Sequence, residues 1–300
     1  MGPRPALQPS RPVPAHRRRP PGRGRRGGRG RGPVVNGVIL ETDHAGPSGP
    51  VAARIADAFK DLAVAEWLIP DDRDERRRVL AGQFEMLVGP ALDGHGHVDA
   101  AVDLSGNLVG VAVWLDFNGG HFPSPSFYDE RLAELCGERL PHFKALDEAF
   151  ERHHPDPAER PHLHLAFCAV DPDRQTRGIG TRLLQQGVDR LDKLGAAGYL
   201  EAANEELTAW YAQYGFERRD PLQLPDGPQM YPMWRAKRLR RTADEHLRRA
   251  PPGARRRRSH AAAPPDPQSG HRGDPPTDCA NPSPSRSRLQ PSRTRSPGLR

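Results

Sequence analysis

The chain has 300 residues, and beside its 34 prolines and 30 glycines only 35% of the residues are hydrophobic. Its net charge of +7 is uneven: residues 1–34 hold ten arginines and no acid, and residues 239–300 hold fourteen arginines and five acids. The remaining residues, 35–238, therefore carry about −12, which excludes a uniformly basic globule.

The two ends are of low complexity and hold too little apolar surface for burial to offset the entropy lost on ordering. We expect residues 1–33 to be a disordered Arg/Gly/Pro-rich extension and residues 241–300 to be a disordered Pro/Arg/Ser-rich tail. Residues 34–240 are numerous enough to bury a core of their own. The sequence thus predicts one folded domain between two disordered ends.

Cysteine usage and hydropathy bear on the compartment. Three widely spaced cysteines, Cys136, Cys168 and Cys279, predict no disulfide framework and favour a reducing compartment. The basic N-terminus is not followed by the apolar segment of a signal peptide, and no apolar run approaches the length of a membrane span. We therefore expect a cytoplasmic protein with no membrane partner.

In chain order, residues 34–40 predict a first strand. Apolar residues at helical spacing predict a helix from Val51 to Pro70 and a second helix that stops at Pro90. Two alternating runs joined by Ser-Gly-Asn predict a hairpin over residues 97–117. Residues 129–152 favour helix again, in one or two pieces that separate near Pro141.

The second half alternates between strands and helices. Residues 162–170 are almost continuously apolar, which is typical of a central strand buried on both faces. The next helix ends at Gly195 and Gly198, and a strand over 199–204 and a short helix ending at Gly215 follow. Residues 221–234 predict a closing hairpin. This order predicts a mixed α/β domain.

A glycine loop separates the 162–170 strand from the helix that follows. Gly178 and Gly180 would let an anion approach the unpaired amides and partial positive charge of the helix N-terminus, with Arg174, Arg177 and Arg182 nearby. No lysine follows the second glycine and position 183 is leucine, which excludes a P-loop and the dinucleotide fingerprint. A plain turn between strand and helix is the alternative.

Three segments, LAFCAVDPDRQTRGIGTRLL, LEAAN and WYAQYGF, resemble in order and spacing the GNAT superfamily of acetyl-CoA-dependent N-acetyltransferases. The resemblance is strong over about 162–218 and extends in element order back to about 51. The segments DAFKDLAVAEWLIPD, GVAVWL and LPDGPQMYPMWR are most similar to the branch that contains puromycin N-acetyltransferase. The resemblance implies the GNAT-type acyltransferase fold, a mostly antiparallel twisted sheet with a splayed central strand pair, flanked by helices.

The resemblance also implies that acetyl-CoA is the co-substrate and that its acetyl group passes directly to a primary amine. Backbone groups of Cys168, Ala169 and Val170 would pair with the pantetheine arm, which Asn204 would also contact. Thr176 stands where many members have glycine, so it must reach its loop conformation with a Cβ atom present. The residues implied to face the pyrophosphate are Gln175, Thr176, Arg177, Gly178, Ile179, Gly180 and Thr181.

Two residues are candidates for catalysis. Tyr211 matches the tyrosine that protonates the departing thiolate in the family, with a packed aromatic as the alternative. Glu201 would act as a base or fix neighbouring backbone. His162 and His164 lie on one side of their strand and would form a base or water relay, or else be partly exposed polar residues. The histidines lack the spacing of zinc sites, so we expect no metal.

Other functions stay compatible with the sequence. The domain could bind or sense acetyl-CoA without catalysis, and the arginine-rich ends could bind RNA through phosphate charge. The ends could equally be inert or arise from an overextended reading frame, so nucleic acid is not the favoured partner. We expect a small-molecule amine acceptor and a monomer or homodimer. A polyamine, an aminoglycoside-like antibiotic and a protein N-terminus all remain open as acceptors.

Overall fold

The structure, a computed structural model, describes residues 31–35, 37–119 and 122–238. The predicted disordered ends lie outside these residues, apart from Arg31 to Pro33, which belong to the first strand. The predicted mixed α/β architecture is confirmed: a nine-stranded, mostly antiparallel sheet carries helices on both faces.

The first element differs from the prediction. Residues 34–40 do not form one strand but cross a hairpin, because the chain reverses at Gly37, which has a φ of +73°. Val34 pairs with Ile39 and Val35 with Val38 across this turn. The two strands are β1, Arg31–Val35, and β2, Val38–Glu41.

Three helices follow, and the single helix predicted up to Pro70 is in fact two. Leu62 adopts an extended conformation with ψ 145°, and this breaks the helix without any proline or glycine. The next helix begins where the carboxylate of Asp72 accepts hydrogen bonds from the amides of Asp74 and Glu75 at 2.8 and 3.0 Å. The helices are α1, Ser48–Phe59, α2, Ala63–Leu68, and α3, Arg73–Pro90.

The predicted central hairpin and the helical pair after it are confirmed. The hairpin consists of β3, Gly96–Asp103, and β4, Leu108–Asp116, and its turn is held by the Asp103 carboxylate, which accepts from the amides of Ser105 and Asn107. The helices are α4, Tyr128–Cys136, and α5, Leu140–His153. They separate at Gly137, which has a φ of +53°, while Pro141 lies in the first turn of α5, where proline needs no amide partner.

The second half forms the predicted alternation. Its elements are β5, His162–Val170, α6, Ile179–Leu194, β6, Ala197–Ala202, α7, Glu205–Ala212, β7, Glu217–Arg218, β8, Leu222–Gln223, and β9, Gln229–Arg235. The closing hairpin pairs Leu222 with Met230 and Gln223 with Gln229. The sheet order is β1-β2-β3-β4-β5-β6-β9-β7, with β8 beside β9.

One strand pair breaks the antiparallel pattern. β5 and β6 are parallel and pair only at their first residues, the last pair being His164 with Tyr199. Among the described residues, no ladder pair joins these two strands beyond that point, although β5 continues to Val170. The predicted splayed central pair is therefore present, and it opens a wedge in the middle of the sheet.

A bulge in β5 determines which side chains face this wedge. Val113 pairs with Phe167 and Trp114 with Leu165, so Ala166 is an extra residue. The alternation of side chains therefore reverses: before the bulge Leu163 and Leu165 pack beside α6, whereas after it Cys168 and Val170 do. Phe167 and Ala169 pack instead in the core beneath α1 to α5.

Candidate active site

A cavity of about 750 Å³ lies where β5 and β6 diverge. Helices α1, α2, α3 and α5 cover it, and most of its wall is apolar. The polar side chains in the wall come from the splayed strands, from α5 and the segment after it, and from single positions on α3 and α7. They are Gln83, Asp147, Glu151, His154, Asp156, His164, Glu201 and Tyr211.

Glu201 and His164 form a hydrogen-bonded pair in this wall. Nε2 of His164 lies 2.8 Å from Oε2 of Glu201, and the Glu201 side chain is only 7% exposed. Burial by itself raises the pKa of the Glu201 carboxyl, but the facing His164 imidazole outweighs it and holds the pKa below its usual value. The second oxygen, Oε1, is buried and has no hydrogen-bond partner among the described residues. The Tyr199 hydroxyl also helps to lower the pKa of this carboxyl, so Glu201 is a charged carboxylate held within the cavity wall.

Aromatic rings enclose this couple. His154 stands 5.3 Å from His164 and 4.9 Å from His162, measured between ring centroids, and Phe117 stacks on His162 at 5.3 Å. The alternative of a partly exposed His162 is wrong, since the residue is fully buried. Its Nδ1 donates to the Arg160 carbonyl at 2.7 Å, and its Nε2 lies 3.3 Å from Nε2 of His154. Burial lowers the pKa of His154 and of His162 to about 4, so both are neutral at pH 7.

Tyr211 lies in the cavity wall on α7. It is 6% exposed and packs against Trp210 and Phe216, at centroid distances of 4.7 and 6.1 Å. Burial raises the pKa of its phenol well above the usual value, so the hydroxyl stays protonated. Tyr211 is thus both a packed aromatic and a proton-bearing group at the cavity, which joins the two interpretations of the sequence.

The strand residues implied to pair with a pantetheine arm border the wedge. Cys168, Ala169 and Val170 pair on one side with β4, at Ala112, Val111 and Gly110. Their other edge is the one that β6 leaves, and Cys168 also lines the cavity. An extended chain could therefore take the place that β6 vacates, by adding backbone hydrogen bonds as a new strand does.

The glycine loop lies at the end of the same strand and leads into α6. Thr176 has a φ of +62° and Gly178 a φ of +74°, so the loop twice takes the left-handed conformation. Thr176 reaches it despite its Cβ atom, as the sequence requires. A Cβ atom at Gly178 would meet nothing within 4 Å, so this side of the loop is open.

Side chains fix the loop from below. The Gln175 amide donates to the carbonyl of Val170 at 3.4 Å, and Arg177 donates to the carbonyl of Asp173 at 3.0 Å. Arg174 forms an ion pair of 3.0 Å with Asp103 in the β3–β4 turn. Ile179, Gly180 and Thr181 form the first turn of α6, whose amides point toward the loop as at any helix N-terminus. The backbone conformation of the loop is compatible with the predicted anion site.

Asn204 lies at the start of the helix that carries Tyr211. Asn204 is the N-cap of α7, and its side-chain oxygen accepts from the Leu207 amide at 2.9 Å.

Asp147 on α5 accepts a hydrogen bond of 3.3 Å from the Tyr128 hydroxyl, which accepts in turn from Gln83 at 3.1 Å. Burial raises the pKa of the Asp147 carboxyl to about 6. Sequence reasoning missed this group and His154, although Asp147, Glu151 and His154 share helical spacing.

These features fit acetyl-CoA, since the chain has an edge of β5 for an extended arm, an open amide-rich loop for a diphosphate, and a cavity for an acceptor beyond the wedge. Within the described residues, no group of three or more His, Cys, Asp or Glu side chains is arranged to hold a metal ion. No described helix is both long and apolar enough to cross a membrane.

Comparison with solved structures finds acetyltransferases. The histone acetyltransferase HPA2 and related acetyltransferase from Corynebacterium glutamicum is 25% identical, with a TM-score of 0.49, and the match covers 65% of this chain and 94% of the other. Arylalkylamine N-acetyltransferase 2 from Aedes aegypti is 14% identical, with a TM-score of 0.45, over 67% and 99% of the two chains. The polyamine N-acetyltransferase of Drosophila melanogaster is 15% identical, with a TM-score of 0.41, over 66% and 98%.

The family assignment comes from a separate match. Residues 56–216, more than half of the chain, match the model of the acetyltransferase (GNAT) family. This range begins in α1 and ends after α7, so it contains the wedge, the glycine loop and every residue that lines the cavity except Met230. The chain belongs to the GNAT family of acetyltransferases and is therefore an acyltransferase.

Proposed function

We propose that the protein transfers the acetyl group of acetyl-CoA directly to the primary amine of a small cationic molecule. The observation that carries this proposal is the buried Glu201 carboxylate, which lines the cavity at the wedge and is held by His164. When bound, acetyl-CoA supplies a thioester carbonyl that a neutral amine can attack.

Deprotonation of the amine falls to Glu201. An alkylamine is protonated at pH 7 and must lose a proton before or during attack, and a positioned base contributes about 10²–10⁴-fold to such a step. The Glu201 carboxylate would accept this proton, while His164 holds Oε2 and fixes the carboxylate in one orientation. A backbone amide on the unpaired edge of β5 would stabilise the developing oxyanion, which is typically worth about 3–4 kcal/mol.

The leaving group would be stabilised from α7. The Tyr211 hydroxyl stays protonated because burial raises its pKa, so it can donate a hydrogen bond or a proton to the departing thiolate. Asn204, the N-cap residue of the same helix, would contact the arm of the co-substrate, as the resemblance implies. The loop from Gln175 to Thr181 would hold the diphosphate and so set the depth to which the thioester enters the wedge.

Charge in the cavity supports a cationic acceptor. Four carboxylates line the wall, at Asp147, Glu151, Asp156 and Glu201, and no lysine or arginine of the described chain does so. Such a one-sided wall concentrates positive ligands and disfavours anionic ones. The resemblance of three segments to the puromycin N-acetyltransferase branch supports an aminated antibiotic as one acceptor of this kind. The cytoplasmic location and the monomeric or homodimeric state stay predictions.

The proposal is tested with full-length protein, acetyl-CoA and a panel of basic and neutral primary amines, with detection of the released thiol. We expect amine-dependent thiol release that favours cations, and a loss of at least about a hundredfold in kcat/KM for Glu201→Gln. Glu206→Gln is the matched control, because Glu206 is an exposed acid on α7 outside the cavity wall. Binding of acetyl-CoA without thiol release from any amine would contradict catalysis and favour a sensor domain.

A further inference from the structure

One wall of the cavity carries a row of polar groups at regular spacing. Asp147, Glu151 and His154 lie at positions i, i+4 and i+7 of α5 and the residue that ends it, and all three line the cavity. Residues so spaced share one face of a helix. α5 therefore turns a polar stripe toward a cavity whose remaining walls are mostly apolar.

The two ends of this polar stripe lie at different distances from Glu201, the proposed catalytic base. The His154 ring lies 5.3 Å from that of His164, which binds Glu201, so this end is beside the proposed catalytic base. Asp147 comes seven residues earlier, which corresponds to about 10 Å along a helix axis. The cavity thus holds a carboxylate at each end, separated by a distance on the order of 10 Å.

A hydrogen bond fixes the orientation of the Asp147 carboxylate, but no described cation neutralises its charge. The Tyr128 hydroxyl donates to its Oδ2 at 3.3 Å, and Gln83, which is 3% exposed, orients that hydroxyl. No lysine or arginine of the described residues contributes to the pKa of Asp147, and the neighbouring Asp129 and Glu151 disfavour its charge further. A carboxylate that is half-buried without a cation costs desolvation energy that a bound cation would offset.

Apart from Glu151, an exposed residue of α5, the lining between the two ends is apolar. Phe150 on α5 lines the cavity together with Phe59 and Phe84, which pack edge to face at 6.0 Å, and with leucines of α2 and α3. Methylene groups or a ring would be buried there, whereas a charged or hydroxylated segment would lose its water without compensation. The wall therefore has a carboxylate at each end and, opposite the exposed Glu151, a mostly apolar surface between them.

We propose that the acceptor is an elongated diamine with an apolar middle, whose reacting nitrogen lies at Glu201 while its second, cationic nitrogen binds Asp147. This assignment rests on the proposed function and adds the substrate class. Asp147 is a specificity-determining residue here, and Tyr128 and Gln83 are positioning residues that act through it.

The experiment compares two probes that differ only in the second nitrogen, 1,7-diaminoheptane and heptylamine. Their affinities for the full-length protein are measured by calorimetry in the presence of free coenzyme A, which has no acetyl group to transfer. Because a hydrogen bond to a charged partner is worth about 1.5–3 kcal/mol, we expect the parent protein to bind the diamine about tenfold to a hundredfold more tightly. Equal affinities in the parent overturn the proposal.

Variants assign the preference to Asp147. Asp147→Asn keeps an oxygen for the Tyr128 hydroxyl but removes the charge, and we expect it to bind both probes with equal affinity, as heptylamine binds the parent. Glu148→Gln is the matched control, because Glu148 is the next residue on α5, exposed and outside the wall, and it should keep the preference. A preference that survives in Asp147→Asn overturns the assignment.

This result is separable from the transfer reaction. A diamine preference that depends on Asp147 supports the inference even if no amine releases thiol, which would contradict the proposed function alone. Thiol release from both probes with equal kcat/KM and no difference in affinity would contradict the inference and leave the transferase intact.

Discussion

At the scale of single residues, the site depends on groups whose protonation is set by burial. Glu201 keeps its charge because His164 faces it, whereas Tyr211 keeps its proton because it is buried among aromatic rings. These opposite outcomes give the cavity a proton acceptor on β6 and a proton donor on α7. The transfer reaction needs one group of each kind, since the amine loses a proton and the departing thiolate gains one.

The role of Tyr211 predicts a selective loss of turnover. Tyr211→Phe removes only the hydroxyl and keeps the ring against Trp210 and Phe216, so we expect kcat to fall by about 10²-fold with little change in acetyl-CoA affinity. Steady-state thiol release and calorimetry measure the two quantities. Tyr231→Phe is the control, because Tyr231 is equally buried on β9 but lies outside the cavity wall. A Tyr211→Phe variant as fast as the parent removes the residue from the mechanism.

The buried histidines predict a loss of stability in acid. His154 and His162 have a pKa of about 4 in the folded protein, against about 6.5 when unfolded, so the unfolded chain binds more protons between these values. The free energy of unfolding therefore decreases as the pH falls from 6.5 to 4. Asp147, whose pKa is raised to about 6, acts in the opposite direction, so variants must be compared.

The measurement is urea unfolding at pH 7 and pH 5 for the parent and for His162→Phe, which keeps an aromatic ring against Phe117 and Trp234. We expect the drop in unfolding free energy between the two pH values to be smaller in the variant, by about 2 kcal/mol. Identical drops in both proteins would show that His162 does not titrate as its burial requires.

The sequence predicted some of the residues that line the cavity but not others. Tyr211 and Glu201 could be singled out because each belongs to a short segment with a family resemblance, and both line the cavity. Asp147 and His154 carry no local signal beyond helical spacing. Their roles depend on α5 packing over the wedge, and sequence periodicity does not show what a helix packs against.

At the scale of elements, packing of α6 against β4 holds the glycine loop over the wedge. Gly187 on α6 lies against Trp114 of β4, which is fully buried, and a Cβ atom at this position would stand 2.2 Å from the indole ring. The close approach of helix and strand therefore requires glycine in mid-helix, despite its cost there.

This contact predicts opposite effects for one substitution at two sites. Gly187→Ala should lower the free energy of unfolding by about 1–3 kcal/mol, because the added methyl group displaces Trp114. Gly89→Ala on α3 should raise it by about 0.5–1 kcal/mol, since its Cβ atom would meet nothing within 4 Å and alanine favours helix. Urea unfolding at pH 7 measures both. A Gly187→Ala protein as stable as the parent would contradict the close packing.

Elements with strong local signals were predictable, and those decided by tertiary contacts were not. β5, α6 and the β3–β4 hairpin follow the predicted boundaries closely because apolar runs and turn residues mark them. The α1–α2 break at Leu62 has no glycine or proline to mark it. No sequence feature marks the bulge at Ala166 either, yet this bulge decides which β5 side chains face the cavity.

At the scale of the whole molecule, every residue of the candidate site lies within 56–216 except Met230 in the cavity wall. We expect a chain trimmed to residues 31–238 to keep the kcat/KM of the full-length protein for the same amine within about twofold, because it retains all the residues of the family match and Met230. Thiol release by both proteins measures this. A loss of tenfold or more on trimming would place part of the site in the ends.

The arginine-rich ends predict a second comparison of the same two proteins. If they are inert, full-length protein and residues 31–238 bind single-stranded RNA equally weakly at 150 mM salt. Because phosphate contacts give a steep salt dependence, tighter binding by the full-length chain that disappears at high salt would assign RNA binding to the ends.

The central claim is that the loop from Gln175 to Thr181 binds the diphosphate of coenzyme A, and calorimetry on full-length protein tests it most directly. We expect one molecule of acetyl-CoA to bind per chain, and Gly178→Val to weaken binding at least about tenfold, because valine fits poorly at a φ of +74°. Gly195→Val places the same strain at the other end of α6, with a φ of +64° and open space around it, and should bind as the parent does. No heat of association with folded parent protein, or an equal loss in both variants, would contradict the claim.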